Sequence, residues 1–572
     1  MAPATPRTKG NKAKATITAK SSTTAFSTSS SSSSPAIDHG ASRFSSSSST
    51  ITTSTTTITN SSFYNTTATA GKAPKLNLSV FRYSNWLEEN QLKKTAPWIA
   101  VAVAILIRFI VGLGPYSGYA TPPRFGDYEA QRHWMELTIH RPIKEWYSDK
   151  SKWWDLDYPP LTAYVSWICG FIGDKLNPEW FAWETSRGFE SPDAKIYMRA
   201  TVLILEVIVY MSSIIVFTNL WFANKPWTRK HAALILILMQ PGLILIDSGH
   251  FQYNAVMLGL VAWAVNCFLA DQDVLGSVFF CLALAFKQMG LYFAPAVFAY
   301  LLGKSFRQGF FGCIWKLIKL GTTVILTLGL MFYPWMQSQE EILQVVHRIF
   351  PVFRGLYQDK VANVWCAVNV AIKLREMFDI QELVRFSTLA TLLSFLPSVL
   401  HLIAKPTKKG LIYGLINSSL SFFLLSFQVH EKSILIPMLP ITLLILDEPA
   451  VASLFVTLAT FTMFPLLKQE LLLLQYFVVL GFWIWLTKGT FSTASKLLQF
   501  LSVVNLLVIT SLHVAEFTIS PPARYPDIYA VANALWGAGG FTLFWAYFNY
   551  RQFTFVNTPG TGFRVTKSTK LA

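Results

Sequence analysis

The chain has 572 residues, of which 52% are hydrophobic and only 14% are charged, and its formal net charge is +17. Soluble domains carry about 25% charged residues, so this composition excludes a water-soluble globular protein, and it also excludes a collagen-like or wholly disordered chain. Five cysteines are too few for a disulfide scaffold. The composition therefore predicts a polytopic membrane protein.

The first 94 residues differ from the rest of the chain. Ser and Thr dominate residues 21–59, and residues 1–94 hold eleven Lys/Arg against three Asp/Glu. Such a segment has too little apolar surface to offset the entropy of ordering, so we expect a disordered, basic tail. Nucleic-acid binding is one interpretation of a basic tail, but neither interleaved aromatic residues nor a fold supports it. We predict a cytoplasmic tail over residues 1–94 and no nucleic-acid partner.

Apolar runs of the length that a membrane-spanning helix needs begin near Pro97 and recur to residue 549. They predict about twelve to fourteen transmembrane helices in a membrane domain at 95–550, followed by a cytoplasmic tail at 551–572. A β-barrel would instead show alternating segments of about ten residues. The predicted fold class is therefore an all-α polytopic membrane protein embedded in a lipid bilayer.

Lys and Arg cluster in alternate connections between these runs, as the positive-inside rule expects of cytoplasmic loops. The remaining connections hold FGDYEAQRHW, DSGHFQYN, FKQM, HRIFPVFRGLYQDKVAN and FQVHEKS. Both termini are thus predicted to be cytoplasmic, and every polar cluster that could do chemistry falls on the opposite side.

The first non-cytoplasmic loop, at 115–196, is the longest and is rich in acidic and aromatic residues. Its apolar stretch from Leu161 to Gly173 is too short to span a bilayer and predicts a helix lying at the interface. A loop of this length is more often functional than a simple connection. The alternative is an interfacial lid that only caps the helix bundle.

Asp127, in the stretch GDYEAQRHW, is the candidate catalytic residue of this loop. A carboxylate there could act as a general base towards a sugar hydroxyl, or it could merely cap the start of a helix. The sequence has no HExxH motif and no CxxC pair, and we predict no metal and no cofactor. The alternative metal site is the pair Asp155 and Asp157, which an interfacial turn explains equally well.

Further candidate residues come from the other non-cytoplasmic connections. Single charges near helix ends often reach the interface without a function, but a lysine inside an apolar stretch needs a partner or a ligand. Together these groups could bind a lipid phosphate as leaving group. They are His250, Gln252, Lys287, Arg354, His430, Glu431 and Lys432.

The ordered motifs resemble a known family. GDYEAQRHWMELT, WWDLDYPPLTAY, ILIDSGHFQYN, FKQM, RIFPVFRGLYQDKVANVWC and FQVHEKSILIP are similar to motifs of the endoplasmic-reticulum glucosyltransferases that use dolichyl-phosphate glucose. The likeness covers about residues 95–550. Its first-loop motif is similar to that of the members that add the first glucose to a nine-mannose, dolichyl-pyrophosphate-linked oligosaccharide in protein N-glycosylation. One departure is Ser248, where the family pattern has a histidine.

The resemblance implies a GT-C fold, an endoplasmic-reticulum location with a luminal active site, and a metal-independent, inverting transfer that makes an α-1,3 linkage. It implies that Asp127 is the base, with Arg354, His430 and Lys432 at the leaving phosphate. Three further residues are expected to orient Asp127 or to contact the acceptor. They are Glu129, Arg132 and His133.

Two other functions stay open at this point. The second glucosyltransferase of the pathway, or a dolichol-dependent mannosyltransferase, would differ in the first-loop motif. A lipid or solute transporter would suit many spans with internal charges, but the two related halves typical of transporters are not seen. A disulfide between Cys169 and Cys366 is conceivable, although spacing cannot establish it.

Overall fold

The computed structural model describes residues 78–149, 153–350 and 360–555, and within these ranges the chain forms helices without any strand. The protein is therefore an all-α polytopic membrane protein. The expected tails at 1–77 and 556–572, and Arg354, lie outside the described residues.

The N-terminal third contains the helices that build the first loop and its supports. They are α1 (Ser79–Glu89), α2 (Ala96–Gly112), α3 (Asp127–His140), α4 (Pro160–Leu176), α5 (Pro192–Leu205), α6 (Ser212–Trp221), α7 (Trp227–Leu238) and α8 (Pro241–Leu243). Two π-helical segments, Glu206–Met211 and Ile244–Phe251, interrupt this series.

The remaining helices complete the bundle. They are α9 (Asn254–Leu269), α10 (Asp273–Phe286), α11 (Ala294–Phe306), α12 (Gly309–Phe332), α13 (Gln339–Ile349), α14 (Val364–Ala371), α15 (Leu374–Met377), α16 (Ile380–Ala404), α17 (Lys408–Leu425), α18 (Leu435–Leu443), α19 (Pro449–Thr462), α20 (Phe464–Gln469), α21 (Leu473–Thr487), α22 (Lys496–Thr518) and α23 (Ile528–Phe555). Single 3₁₀ turns join some of them, among them Gln288–Phe293 and Glu431–Ile434.

Six helical segments in the described part of the chain are long and apolar enough to cross a membrane. Four shorter apolar helices (α2, α9, α10 and α19) also stand where the sequence predicts spans. The number of spans, about twelve to fourteen, stays a prediction. The six long segments are Pro192–Trp221, Trp227–Phe251, Gln288–Phe306, Gly309–Trp335, Ile380–Ala404 and Lys496–Thr518.

Helix α1 corrects one expected boundary, because it lies within the range predicted to be a disordered tail. Val80, Ser84 and Leu87 fall on one face of α1 at helical spacing, and all three are buried. The Ser84 hydroxyl lies 2.9 Å from Nδ1 of His231 on α7. The part of the predicted tail that the structure describes therefore contains a helix at Ser79–Glu89.

The first loop folds as a pair of packed helices, α3 and α4. Helix α4 leaves Trp167, Ile168 and Phe171 exposed on its outer face, as expected of a helix at the membrane interface. Its inner face contacts α3 at Gly170, where an added Cβ would lie only 2.7 Å from the carbonyl oxygen of Met135. This close contact between the two backbones holds α3 against α4.

The segment Trp227–Phe251 is the most deeply buried of the long apolar segments. Its last turns are π-helical, and the chain then becomes extended at Gln252. The carbonyl oxygen of His250 accepts a hydrogen bond from the backbone N–H of Ser117 at 3.0 Å. This bond ties the end of the buried segment to the start of the first loop.

A buried ion pair joins α2 to the first π-helical segment. Nε of Arg108 lies 2.7 Å from Oε1 of Glu206, and both side chains are almost fully shielded. The same guanidinium donates to the carbonyl oxygen of Leu238 at 3.0 Å. Paired charges of this kind are tolerated in an apolar interior only while both partners are present.

Replacing Arg108 by Met is therefore expected to destabilise the protein by about 3–5 kcal/mol, because Glu206 loses its counter-charge. Thermal unfolding of the detergent-purified protein, followed by tryptophan fluorescence, measures the effect. The double variant Arg108→Met/Glu206→Met should recover much of the loss. A single variant as stable as the wild type would contradict this account of the pair.

Candidate functional site

A cavity of about 1050 Å³ opens between the first loop and the helix bundle. Its polar wall comes from α3, from the stretch after residue 152 and from the turn at Glu431–Ile434. Its apolar wall comes from one face of α16 and from α17, including Val384, Leu392, Phe395 and Phe422. The cavity therefore has a polar wall and an apolar wall next to each other.

Asp127 is the first residue of α3 and lines this cavity. The N-cap position belongs to Gly126, and the Asp127 carboxylate lies in the first turn, so Asp127 does stand at the start of a helix as the alternative interpretation expected. The backbone N–H of Asp127 donates to Oγ of Ser117 at 3.2 Å. Only a glycine fits at 126, since a Cβ there would collide with Ser117.

Three side chains donate hydrogen bonds to Oδ2 of Asp127. Nε2 of His250 lies at 2.9 Å, and the Lys432 ammonium and the Gln252 amide are also in contact. Burial alone would raise the pKa of Asp127, but the positive charge of Lys432 and the bond from His250 outweigh it and hold the pKa well below its usual value. The carboxylate is therefore ionised and held in one orientation.

His250 bridges two carboxylates. Its Nδ1 lies 2.7 Å from both carboxylate oxygens of Glu470, and its Nε2 faces Asp127. Only a ring that carries hydrogen on both nitrogens can donate to both acceptors. Glu470, His250 and Asp127 form a continuous chain of charge-assisted hydrogen bonds into the cavity.

Sequence reasoning missed Glu470. The signal was present, because this carboxylate lies in the polar group KQE between two apolar runs, and an ionisable residue at the edge of the membrane often has a partner. It was overlooked because the sequence cannot show that the partner is His250, 220 positions away in the chain.

Lys287 is buried behind the site and has the partners that its apolar surroundings require. Its ammonium donates to Oδ1 of Asn254 at 2.7 Å and to Oε1 of Gln252 at 3.2 Å, and it lies 4.7 Å from the ring centre of Tyr158. Because Gln252 in turn bonds Asp127, Lys287 supports the carboxylate indirectly.

The predicted group His430, Glu431 and Lys432 borders the cavity as one short turn. Desolvation would lower the pKa of Lys432, but the adjacent carboxylate of Asp127 outweighs it and raises that pKa. The structure therefore brings Asp127, His250, Gln252 and the 430–432 turn into one site. Arg354 was predicted beside them and is among the undescribed residues.

Glu129, Arg132 and His133 occupy the other face of α3 and do not line the described cavity. The Arg132 guanidinium bonds both oxygens of Glu129 and Oε2 of Glu136, each at 2.7 Å. Burial would raise the pKa of Glu136, but bonds from His133 and Arg132 lower it to about 2. In this structure the network stabilises the first loop on the face of α3 that points away from the cavity.

An aromatic wall stands on the polar side of the cavity, formed by Trp134, Trp153, Trp154 and Tyr158. Nε1 of Trp153 donates to Oε1 of Glu129 at 3.0 Å, which connects the wall to the network behind α3. Asp155, one member of the alternative metal pair, forms an ion pair with Arg348.

Cys169 and Cys366 are not joined by a disulfide in the structure, so the bridge considered from the sequence is not formed. Cys169 is buried on α4, and burial raises the pKa of its thiol to about 11.

Known glycosyltransferases are similar to this chain over most of its length. The sequence model of the ALG6, ALG8 glycosyltransferase family matches residues 101–548. A Schizosaccharomyces pombe protein named probable dolichyl pyrophosphate Man9GlcNAc2 alpha-1,3-glucosyltransferase is 45% identical over 453 residues, covering 77% of this chain and 88% of the relative.

Two further relatives carry the same name without the word "probable". The Saccharomyces cerevisiae protein is 41% identical over 513 residues, covering 82% of this chain and 92% of its own. The Mus musculus protein is 41% identical over 489 residues, covering 79% and 96%. Since the match extends over nearly all of the membrane domain, and includes the loop that carries Asp127, this chain belongs to the ALG6, ALG8 glycosyltransferase family.

Proposed function

We propose that this protein transfers the first glucose from dolichyl-phosphate glucose to the nine-mannose dolichyl-pyrophosphate oligosaccharide, forming an α-1,3 linkage with inversion. The observation that carries the proposal is the ionised carboxylate of Asp127, held between Lys432, His250 and Gln252 in a cavity with one polar and one apolar wall. The names of the relatives support the acceptor and the linkage.

The reaction needs one base and one leaving group. The acceptor hydroxyl oxygen attacks C1 of the donor glucose, its proton passes to the carboxylate of Asp127, and the bond between C1 and the phosphate oxygen breaks. Dolichyl phosphate departs with the bonding electron pair. A single displacement of this kind inverts the configuration at C1, by the logic that also governs inverting glycosidases.

Lys432 links the base to the leaving group. In the structure its ammonium lies on Asp127 and keeps the pKa of that carboxylate low. The phosphate diester of the donor is also an anion, its negative charge grows as the bond to C1 breaks, and it competes for the same ammonium. As Lys432 turns towards the phosphate, the pKa of Asp127 rises and the carboxylate becomes a stronger base when the donor is bound.

The two walls of the cavity suit the two substrates. Sugar rings stack on aromatic side chains, so the wall at Trp134, Trp153 and Trp154 fits the terminal mannose of the acceptor branch. The apolar face of α16, with Leu392 and Phe395, fits the first isoprene units of the donor. The reacting atoms then meet at Asp127, where the walls join.

The proposal includes the orientation in the membrane. The side that holds Asp127 is luminal in the endoplasmic reticulum, and both termini are cytoplasmic. The distribution of Lys and Arg between the loops supports this arrangement. The second glucosyltransferase reaction remains the alternative, because the family model that matches this chain covers both kinds of enzyme.

The first test uses the full-length protein in liposomes with dolichyl-phosphate glucose and the nine-mannose acceptor, read as a one-hexose gain in mass. Transfer is expected in the wild type, with or without EDTA. Asp127→Asn should lower the rate about a hundredfold or more, because an amide cannot accept the proton. The matched control is Asp193→Asn, an exposed acidic residue on α5.

The outcomes separate the alternatives. Transfer only to an acceptor that already carries one glucose would assign the second reaction. Full activity of a folded Asp127→Asn protein would remove Asp127 as the base. Loss of activity in EDTA, restored by a divalent cation, would contradict the metal-independent mechanism.

Glu470→Gln is expected to reduce kcat by about tenfold to a hundredfold with little change in KM, because a charge-assisted hydrogen bond that orients His250 is weakened. The protein should still fold, since an amide replaces a carboxylate of the same shape. Initial rates at several acceptor concentrations measure the split. A rise in KM alone would show that Glu470 acts in binding instead.

The pH dependence tests the role of Lys432. The base works only as a carboxylate, so activity is lost as the pH falls through the pKa of Asp127, which lies well below its usual value. Wild-type kcat/KM should therefore show no acid limb from Asp127 between about pH 5 and 8. Lys432→Gln removes the lowering charge, and an acid limb should move up into that range.

Lys432→Arg is the control for this experiment, because it keeps the positive charge and should leave the acid limb where the wild type has it. If the Lys432→Gln and wild-type profiles have the same shape, the ammonium does not control the base.

A further inference from the structure

A second cavity, of about 490 Å³, lies between α2 and α5 and is separate from the one that holds Asp127. Exposed apolar side chains at its rim, Phe109, Leu113 and Ile196, mark it as open to the hydrocarbon of the bilayer. Ser248, in the π-helical segment at Ile244–Phe251, forms part of its inner wall. The proposed transfer reaction makes no use of this cavity.

Two cations stand at this cavity one helical turn apart on α5. The Lys195 ammonium donates to the carbonyl oxygen of Leu113 at 2.7 Å. Nη2 of Arg199 donates to the carbonyl oxygens of Gly249 at 2.6 Å and Pro115 at 3.0 Å. Both residues belong to a segment long and apolar enough to span the membrane, where a charge is costly unless it has a partner or a ligand.

The Arg199 guanidinium is not fully satisfied by protein groups. Its Nε and Nη1 are buried, and neither has a hydrogen-bond partner among the residues that the structure describes. Its nearest aromatic neighbour is Phe251, 5.5 Å from the guanidinium carbon to the ring centre. Buried donors without an acceptor are uncommon in folded proteins and point to a missing anion or water.

The charge of the cavity favours an anion. Of the charged side chains lining it in the described structure, Arg108 is neutralised by Glu206. The one carboxylate of the lining, Glu190, accepts a hydrogen bond from the backbone N–H of Ala120 at 3.0 Å. Lys195 and Arg199 together therefore leave an excess of positive charge beside an apolar groove.

We propose that this cavity binds a glycerophospholipid of the bilayer, with its phosphate at Arg199 and Lys195 and one acyl chain along α2 and α5. A phosphate diester pairs with the two cationic groups that line the cavity, and the apolar lining takes the chain. The occupant is a bilayer lipid rather than the oligosaccharide carrier, because the cavity has less than half the volume of the one that holds Asp127 and its lining is mostly apolar.

The bound phosphate would also stabilise the position of His250 in the site that holds Asp127. Arg199 holds the carbonyl oxygen of Gly249, the residue next to His250. A lipid that fixes the guanidinium thus fixes the turn that carries His250. Binding to the folded state alone raises the apparent stability of the protein.

The test measures lipid binding to delipidated, full-length protein by native mass spectrometry. The probes are phosphatidylinositol and the diacylglycerol with the same chains. One phosphatidylinositol is expected to stay bound and to raise Tm, and diacylglycerol should do neither. Arg199→Gln should weaken phosphatidylinositol binding about tenfold, as loss of a charge-assisted contact. The control Lys175→Gln removes an exposed lysine on α4, outside the cavity.

Two more variants keep the test decisive if Arg199→Gln does not fold. Lys195→Gln should weaken binding through charge alone, and Ala200→Phe should weaken it by filling the groove. Equal binding of the two probes, or wild-type binding by both of these variants, overturns the proposal. So does displacement of phosphatidylinositol by the dolichyl-pyrophosphate acceptor at low molar ratio, because the cavity would then be an acceptor site.

Discussion

The carboxylate of Asp127 is shielded from water on most sides, and its charge is stable there only because a lysine, an imidazole and an amide converge on one of its oxygens. The donors come from two distant parts of the chain, and in each part a helical segment ends or begins beside Asp127. The buried segment Trp227–Phe251 leaves its helix at residue 252, and the turn at Glu431–Ile434 follows α17. The rest of the site depends on this convergence, since losing any one donor would remove a hydrogen bond that holds the carboxylate in its ionised form and orientation.

Much of this site was predictable from residue type and from position relative to the apolar runs. Asp127, His250, Gln252 and Lys432 are polar residues at the ends of predicted spans, and the structure joins all four. What the sequence could not show is which face of a helix each residue occupies. In α3 the residues at 127, 130, 131 and 134 line the cavity. Glu129, Arg132 and His133, predicted with Asp127 because they are its neighbours in sequence, are turned by about 100° per residue onto the supporting face.

The same limit explains the other differences. Helix α1 was missed because a short apolar face is hidden in a polar tail, and only its contact with α7 reveals it. Glu470 was missed because its partner is distant in the chain. The apolar runs were recognised correctly as helices, but several are shorter than a straight membrane crossing, such as α10. Hydropathy shows whether a segment lies in lipid or in water. The length of its helix and the residues that it contacts depend on tertiary packing.

The π-helical segment Ile244–Phe251 has a consequence for how this site tolerates change. A π-helical turn holds more residues than an α-helical turn, and such turns are kept where a side chain must point in a particular direction. Removing one residue from this segment would let it relax to an ordinary α-helix and rotate every later position about the axis. His250 and Gln252 would then face away from Asp127 although neither had been replaced. The chemistry of the site is thus encoded partly in the number of residues between Pro241 and Gln252, and an insertion or deletion there is as damaging as a substitution of the base itself.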